Sequence, residues 1–297
     1  MHFSNKLCCH LKIIRDIKYL RTIIREIKSK NQLLGFVPTM GSLHSGHISL
    51  LMESINENDV TICSIYVNPT QFNDPVDFAE YPREYNSDID LLRSLNCDIV
   101  FLPTDKAMYP ENHKTIDYEF SNYMNILEGE KRPGHFLGVI TIVHKFFNLI
   151  HPDRAYFGEK DYQQLWLIRL FTKKFQIPIE IKDCKTIRNK NGLALSSRNK
   201  NLTEQQKEHA QSLFLAIDSL RCAIKGKSYL NNKNFIDLKD QLVSQFLSNS
   251  WIKLDYFEVI EDESFRFVRE IKHDKKYRIL IAAYVGGIRL IDNMLIE

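Results

Sequence analysis

Period changes in the first 180 residues constrain the fold more than any other feature. Short apolar runs, "LKII", "LLGFV", "VTICSIYV", "CDIVFLP", "RAYF" and "IPIEI", alternate with longer stretches whose apolar residues recur at helical spacing. In "RDIKYLRTIIREIKSK", for example, Ile17, Leu20, Ile24 and Ile27 fall on one helical face. Further helical stretches are "ISLLMESINEN", "REYNSDIDLLRSLN", "VITIVHKFFNLI" and "YQQLWLIRLFTKKF", and residues 103–137 are looser. Strands separated by helices in this order predict right-handed β-α-β units and an α/β fold with a doubly wound parallel sheet.

The texture changes near residue 186. "NKNG" reads as a turn, and Thr203 with Gln206 forms a capping box ahead of the helix "EQQKEHAQSLFLAIDSLRCAI". Strand-like "LDYFEVI" and "YRILIAAYV" then lead through Gly286-Gly287 into "IRLID", which predicts a smaller α+β C-terminal domain with a hairpin. The expected domains are 1–186 and 187–297. A chain of 297 residues is long enough for two unequal cores.

Charge and composition narrow the partners. Forty Lys+Arg against 37 Asp+Glu leave a formal charge of +3, without the basic excess of a nucleic-acid binder, so a small-molecule partner is expected. Six cysteines with no C-x-x-C pair read as reduced thiols in a cytoplasmic protein. Charged residues interrupt the first twenty positions and no later run approaches a membrane span, so no membrane partner is expected.

In an open parallel sheet, ligands bind beyond the carboxyl ends of the strands, which selects three loops. The first joins "FVPTM" to "GSLHSGH". Its glycines allow close backbone approach, and a helix N-terminus there offers unpaired N–H groups to phosphate. His44 and His47, three apart, can both face one anion or can simply cap and pack the turn. A zinc reading fails because no third ligand follows at metal spacing. The second loop carries Gln71 in "NPTQF", an uncharged donor and acceptor for a hydroxy acid, or else a loop amide satisfying nearby backbone. In the third, Lys160 of Gly158-Glu159-Lys160-Asp161 is a point charge for phosphate or part of a solvated turn. Ser196, Ser197 and Arg198 in "LALSSRN" are suited to phosphate or to a polar turn before Thr203. No G-x-G-x-x-G follows a strand, and Arg221 stands where a P-loop needs glycine before Gly226-Lys227-Ser228. Together these segments support an ATP-type site.

The successive segments "VPTMGSLHSGH", "YVNPTQF", "YPR", "EGEKRPGHFLGVITIVHKFFNLIHPDRAYFGEKDYQQL", "GLALSSRN" and "GGIRLIDN" resemble those of the pantoate–β-alanine ligase (pantothenate synthetase) family, from about residue 12 to the C-terminus. The earlier residues read as an extension. The resemblance implies a homodimeric, Mg-ATP-dependent enzyme of the HxGH nucleotidyltransferase superfamily, with a Rossmann-like N-terminal domain and a smaller domain covering the site. It implies ATP contacts at Met40, Gly41, Ser42, Leu43, His44, Ser45, Gly46 and His47, at Gly158, Glu159, Lys160 and Asp161, at Ile187, and at Leu195, Ser196, Ser197 and Arg198. His47 matches the proton donor, and Gln71 and Gln164 match the pantoate-binding glutamines. "CKTIRNKNG" around Ile187 departs from the usual pattern, and Leu195 replaces a frequent methionine. The magnesium ligands stay unassigned, with Asp88 and Asp90 as candidates.

The implied chemistry suits the residues. A carboxylate resists amine attack until its oxygen becomes a leaving group, and adenylation by ATP achieves this. His44, His47, Lys160 and Arg198 are then the donors for charge on the phosphate oxygens. Two other readings share parts of the pattern: an HxGH enzyme that releases an adenylylated product, and a nucleotide-binding module without turnover. The stretch "EGEKRPGHF" is expected to be mobile and to order over bound ligand.

Overall fold

The computed structural model of the chain describes residues 11–110, 121–227, 229–272 and 274–296. The expected N-terminal extension and the centre of the loose 103–137 stretch lie outside them. The chain divides into two compact units, one running to Gly158 and including Gln163–Cys184, the other comprising Glu159–Tyr162 and Lys185–Glu297.

The first unit contains β1 (Lys12–Ile14), α1 (Ile17–Ser29), β2 (Leu34–Thr39), α2 (Ser45–Glu57), β3 (Val60–Ile65), α3 (Pro75–Glu80), α4 (Tyr85–Ser94) and β4 (Ile99–Phe101). Three single-turn helices follow, α5 (Asp105–Met108), α6 (Ser121–Met124) and α7 (Glu128–Lys131), and then α8 (His135–Ile150), β5 (Arg154–Gly158), α9 (Tyr162–Lys174) and β6 (Glu180–Cys184). The six strands form one sheet in the order β1-β4-β3-β2-β5-β6, with every pairing parallel. Strand β2 is central and nearly all buried, which is why it reads as a continuous apolar run. Phe36, on one face, meets Phe146 of α8 at 5.4 Å between rings. Val37, on the other, joins Leu50, Leu51, Cys63, Leu92 and Val100. Burying each such side chain stabilises by about 1.5–3 kcal/mol. The strand order reverses between β2 and β5, so their carboxyl ends flank the switch point where doubly wound sheets bind ligands.

Two of the differences from the sequence reading have plain local causes. The sequence places the last strand over "IPIEI", but pairing with β5 begins only at Glu180, because Pro178 has no N–H to give and Ile179 folds back onto the Ile177 carbonyl. Helix α3 is additional: Asp74 accepts the Val76 N–H and Pro75 occupies the first turn, a local start signal without apolar periodicity. The apolar face of α8 is consumed by the core, with Val139, Ile140, Ile142, Val143, Phe146, Phe147 and Ile150 all buried. The stretch 128–136, expected to be mobile, forms α7 and the start of α8 and buries Glu128, Gly129, His135 and Phe136.

The second unit contains α10 (Glu204–Ile224), β7 (Tyr229–Leu230), α11 (Asn232–Leu247), β8 (Ile252–Glu261), β9 (Ile271–Lys272), β10 (Tyr277–Val285) and β11 (Ile288–Ile296). Strands β11-β10-β8 form an antiparallel sheet, and β7 pairs with β9. Alternate residues Ile279, Ile281, Ala283 and Val285 share a core with Leu213, Ile217 and Leu220 of α10. The β10–β11 turn needs positive φ at both central positions, supplied by Gly286 (56°) and Gly287 (85°). Thr203 and Gln206 cap α10 reciprocally, as their spacing predicts. The architecture is the expected one, a Rossmann-like doubly wound parallel sheet with a smaller α+β unit.

Candidate active site

The loop leaving β2 is coiled around a buried carboxylate. Asp88 of α4 is 3% exposed, and its two oxygens accept the N–H groups of Ser42 and Leu43, each at 2.8 Å. This holds Gly41 and Ser42 at positive φ, 83° and 50°. A Cβ on Gly41 would lie 2.9 Å from an Asp88 oxygen, so glycine is required for the approach. Asp88 is thereby committed to the loop, and Asp90 is exposed and paired with Arg93 at 2.5 Å. Among the described residues no group of three His, Cys, Asp or Glu side chains is set to hold a metal.

The loop delivers both histidines to the start of α2. His44 is the N-cap, and its Nδ1 accepts the Gly46 N–H at 3.1 Å, while His47 Nδ1 accepts the His44 N–H at 3.3 Å. Two backbone donors of the first turn are satisfied by ring nitrogens, a histidine version of the capping box. Because each Nδ1 is an acceptor, each neutral ring carries its proton on Nε2. The two ring centroids lie 4.2 Å apart, so both imidazoles stand at the positive end of a helix. Capping and anion donation are therefore compatible, since they use opposite nitrogens.

A polar network fixes Gln71 beyond β3. Its Oε1 accepts from Asn68 Nδ2 at 3.0 Å, and its Nε2 donates to Met40 Sδ at 3.1 Å, which brings two predicted site residues into contact. Asn68 Nδ2 also donates to the Gly138 carbonyl, and Asn68 Oδ1 accepts from Tyr109 at 2.7 Å. Burial raises the Tyr109 hydroxyl pKa, which keeps it a donor. His135 Nδ1 donates to the Gln71 carbonyl at 2.7 Å, because the other ring nitrogen accepts from Arg132. A Cβ on Gly138 would fall 2.3 Å from the Thr70 carbonyl, so α8 packs directly against the loop. Gln164 is half-buried in the first turn of α9. Its neighbour Gln163 is buried, accepting the Glu128 N–H and donating to the Tyr123 and Ile126 carbonyls.

The remaining predicted residues, Gly158 apart, lie in the second unit. Gly158 ends β5 in the first unit, whereas Glu159, Lys160 and Asp161 form a 3₁₀ turn in the second. Asn293 of β11 donates to the Glu159 and Lys160 carbonyls at 2.8 and 2.9 Å. Its neighbour Asp292 binds Arg188 at 2.5 and 2.8 Å. Arg188 belongs to a turn closed by Leu195 N–H donating to the Ile187 carbonyl at 2.9 Å, with Asn189 Oδ1 accepting from Asn191 and Leu193. Ser196 then caps the turn holding Ser197 and Arg198.

The residues that sequence reasoning missed as supports are Asn68, Asp88, Tyr109, Arg188, Asp292 and Asn293. Asp88 left a signal, since it lies one turn before buried Leu92 on the core face of α4, where a carboxylate needs partners.

The comparisons agree over residues 12–295 or 96% of the chain. The family model described as pantoate-beta-alanine ligase matches residues 12–295. Pantothenate synthetase of Christiangramia forsetii is 40% identical over 285 residues, covering 96% of this chain and 99% of that protein. The Caldicellulosiruptor bescii protein of the same name is 38% identical over 286 residues, with 96% and 99% coverage. The crystal structure of pantothenate synthetase from Thermus thermophilus superposes with a TM-score of 0.85 at 32% identity, covering 96% of this chain and 99% of that one. That of pantoate-beta-alanine ligase from Francisella tularensis, complexed with beta-gamma ATP and beta-alanine, gives 0.77 at 40% identity, with 96% and 97% coverage. With the family model matching residues 12–295 and relatives about 40% identical over 96% of its length, the chain belongs to the pantoate–β-alanine ligase family.

Proposed function

We propose that this chain condenses (R)-pantoate with β-alanine at the expense of ATP, and that the residues described above divide the work. The observation that carries the reading is the paired Nε2–H donors of His44 and His47 at the N-terminus of α2. An anion donor set of this kind stabilises charge on phosphate oxygens as it develops.

A pantoate carboxylate oxygen attacks the α-phosphorus of ATP, and the bond to pyrophosphate breaks. The β-alanine amine then attacks the acyl carbon of pantoyl adenylate, the bond to AMP breaks, and a proton is lost. Met40 to His47 hold the nucleotide, with His47 as proton donor. Glu159 to Asp161, Ile187, and Leu195 to Arg198 supply further nucleotide contacts, together with Gly158; Lys160 and Arg198 carry the positive charge. Gln71 and Gln164 hold pantoate. Gln71 suits this because Asn68 fixes its Oε1, which leaves its amide group in one orientation. Magnesium enters with the phosphates of the nucleotide, which matches the commitment of Asp88 to backbone N–H groups.

The reading extends to a cytoplasmic homodimer with a domain boundary after residue 186. The second copy docks through the first domain, with apolar residues in and near α8 serving that contact as well as the core. Light scattering at micromolar concentration is expected to give twice the mass of the chain.

The test is to supply ATP, pantoate and β-alanine and to quantify products while omitting each substrate in turn. Equimolar AMP, pyrophosphate and pantothenate are expected, with none formed without pantoate. Accumulation of an adenylylated acid without an amide would assign a different HxGH reaction, and ATP binding without pyrophosphate release would assign a binding module.

A further inference from the structure

"GGIRLIDN" stands out in the sequence but supplies none of the residues given a role in the reaction. In the structure its last two residues join the two nucleotide segments of the second unit. We propose that Asp292-Asn293 is a positioning element that fixes the Lys160 turn relative to the 187–198 segment. The proposal rests on the functional reading above.

The clamp is defined at the level of single atoms. Arg278 is 4% exposed, and its guanidinium lies 3.8 Å from the centroid of the Tyr162 ring. Its Nε donates to Asp262 at 2.7 Å, and its Nη1 donates to Asn293 Oδ1 at 2.7 Å. Guanidinium has no acceptor, so the Asn293 oxygen must face it and the Asn293 amide group must face away. The NH₂ group then donates to the carbonyls of Glu159 and Lys160, at 2.8 and 2.9 Å. Tyr162, which ends the same segment, donates its hydroxyl to the Asp262 carbonyl at 2.9 Å. Lys160 thus lies between a held carbonyl at Glu159 and an anchored side chain at Tyr162, with its own carbonyl held as well.

Asp292 extends the clamp. It is buried, receives both terminal nitrogens of Arg188, and accepts the Asn293 N–H at 2.7 Å. Arg188 also donates to the Gly192 carbonyl at 2.9 Å and lies over the Phe214 ring at 5.0 Å. One dipeptide therefore holds the Lys160 turn with its second residue and the 187–195 turn with its first. A displacement of about 1 Å in a charge-bearing group is enough to lose much of its effect on a transition state.

Asn293→Ala removes both carbonyl contacts without adding charge. ATP affinity by equilibrium dialysis and pantoate-dependent ATP–pyrophosphate exchange are measured for wild type, Asn293→Ala, Lys160→Ala and the double variant. If Asn293 acts through Lys160, its loss weakens ATP binding at least fivefold when Lys160 is present and at least threefold less than that when it is absent, while the pantoate KM stays within twofold. Equal losses on both backgrounds would mean a general loosening of the second unit and would overturn the proposal. So would a loss below fivefold in the single variant. If Asn293→Ala does not fold, Asn293→Ser, which keeps a short hydroxyl donor, goes through the same four-way comparison under the same criteria. A wild-type chain without pantoate-dependent exchange would overturn the functional reading, leaving the affinity comparison to judge the clamp alone.

Discussion

Gly46→Ala separates chemistry from stability at the start of α2. Gly46 lies in the first turn and is not among the positive-φ glycines, so its backbone conformation accepts alanine. Alanine in place of glycine gains up to about 0.5–1 kcal/mol in a helix. The new Cβ, however, would sit 2.9 Å from His44 Cε1 and 3.1 Å from its Nδ1. The ring has to swing away, and the Gly46 N–H loses an acceptor worth about 0.5–1.5 kcal/mol. The two effects nearly cancel, so a net change within about 1 kcal/mol, or roughly 4 °C in Tm, is expected. Activity does not cancel. Loss of one preorganised donor costs on the order of 10²-fold in rate, which is the expected fall in pantoate-dependent ATP–pyrophosphate exchange. Differential scanning fluorimetry and the exchange assay on the same preparation read both quantities. Exchange within threefold of wild type would refute the placement of His44 as a donor, and a Tm fall above about 10 °C would refute the cancellation.

Asp88→Ala leaves two buried loop N–H groups without their acceptor and is expected to cost about 2–5 kcal/mol in urea unfolding, with Asp88→Asn losing less. The magnesium concentration for half-activation is expected to be unchanged in Asp88→Asn, and a shift of tenfold or more would make Asp88 a metal ligand. Gln163→Ala is expected to speed hydrogen exchange across residues 123–128, because three contacts of that side chain hold the segment. Gln164→Ala is expected to leave exchange there unaltered and to raise the pantoate KM roughly tenfold, the loss of one hydrogen bond to substrate. Burial, reinforced by Lys145, lowers the His144 pKa. The unfolded chain therefore binds more protons than the folded one between the depressed pKa and the ordinary value near 6.5, and stability falls as pH drops through that window. His144→Gln is expected to flatten the dependence of Tm on pH below about 6.5.

The parallel sheet is legible in the sequence because burial on both faces forces apolar strands, and helices packed on those faces must show their own period. Thr203 with Gln206 and Gly286 with Gly287 are legible because the chemistry that sets their conformation is local. The start of β6 is not, because Ile177 and Ile179 are apolar without being paired, and α3 escapes notice because its start signal precedes no apolar stripe. At the site, His44, His47 and Gln71 can be singled out by their positions after strands. Their supports cannot, because Asp88 reaches Ser42 across 46 residues and Asn293 reaches Lys160 across 133. Such partners are fixed by tertiary packing, which a single sequence does not print.

The claim that these loops serve adenylation is tested most directly by splitting the reaction in His47→Ala and Lys160→Ala. Pantoate-dependent ATP–pyrophosphate exchange reads attack on the α-phosphate, and pre-formed pantoyl adenylate with β-alanine reads amide formation alone. Both variants are expected to melt as wild type does, to lose about a hundredfold or more in exchange, and to lose much less in amide formation. Near-normal exchange in both variants at normal stability would contradict the phosphate role of His47 and Lys160.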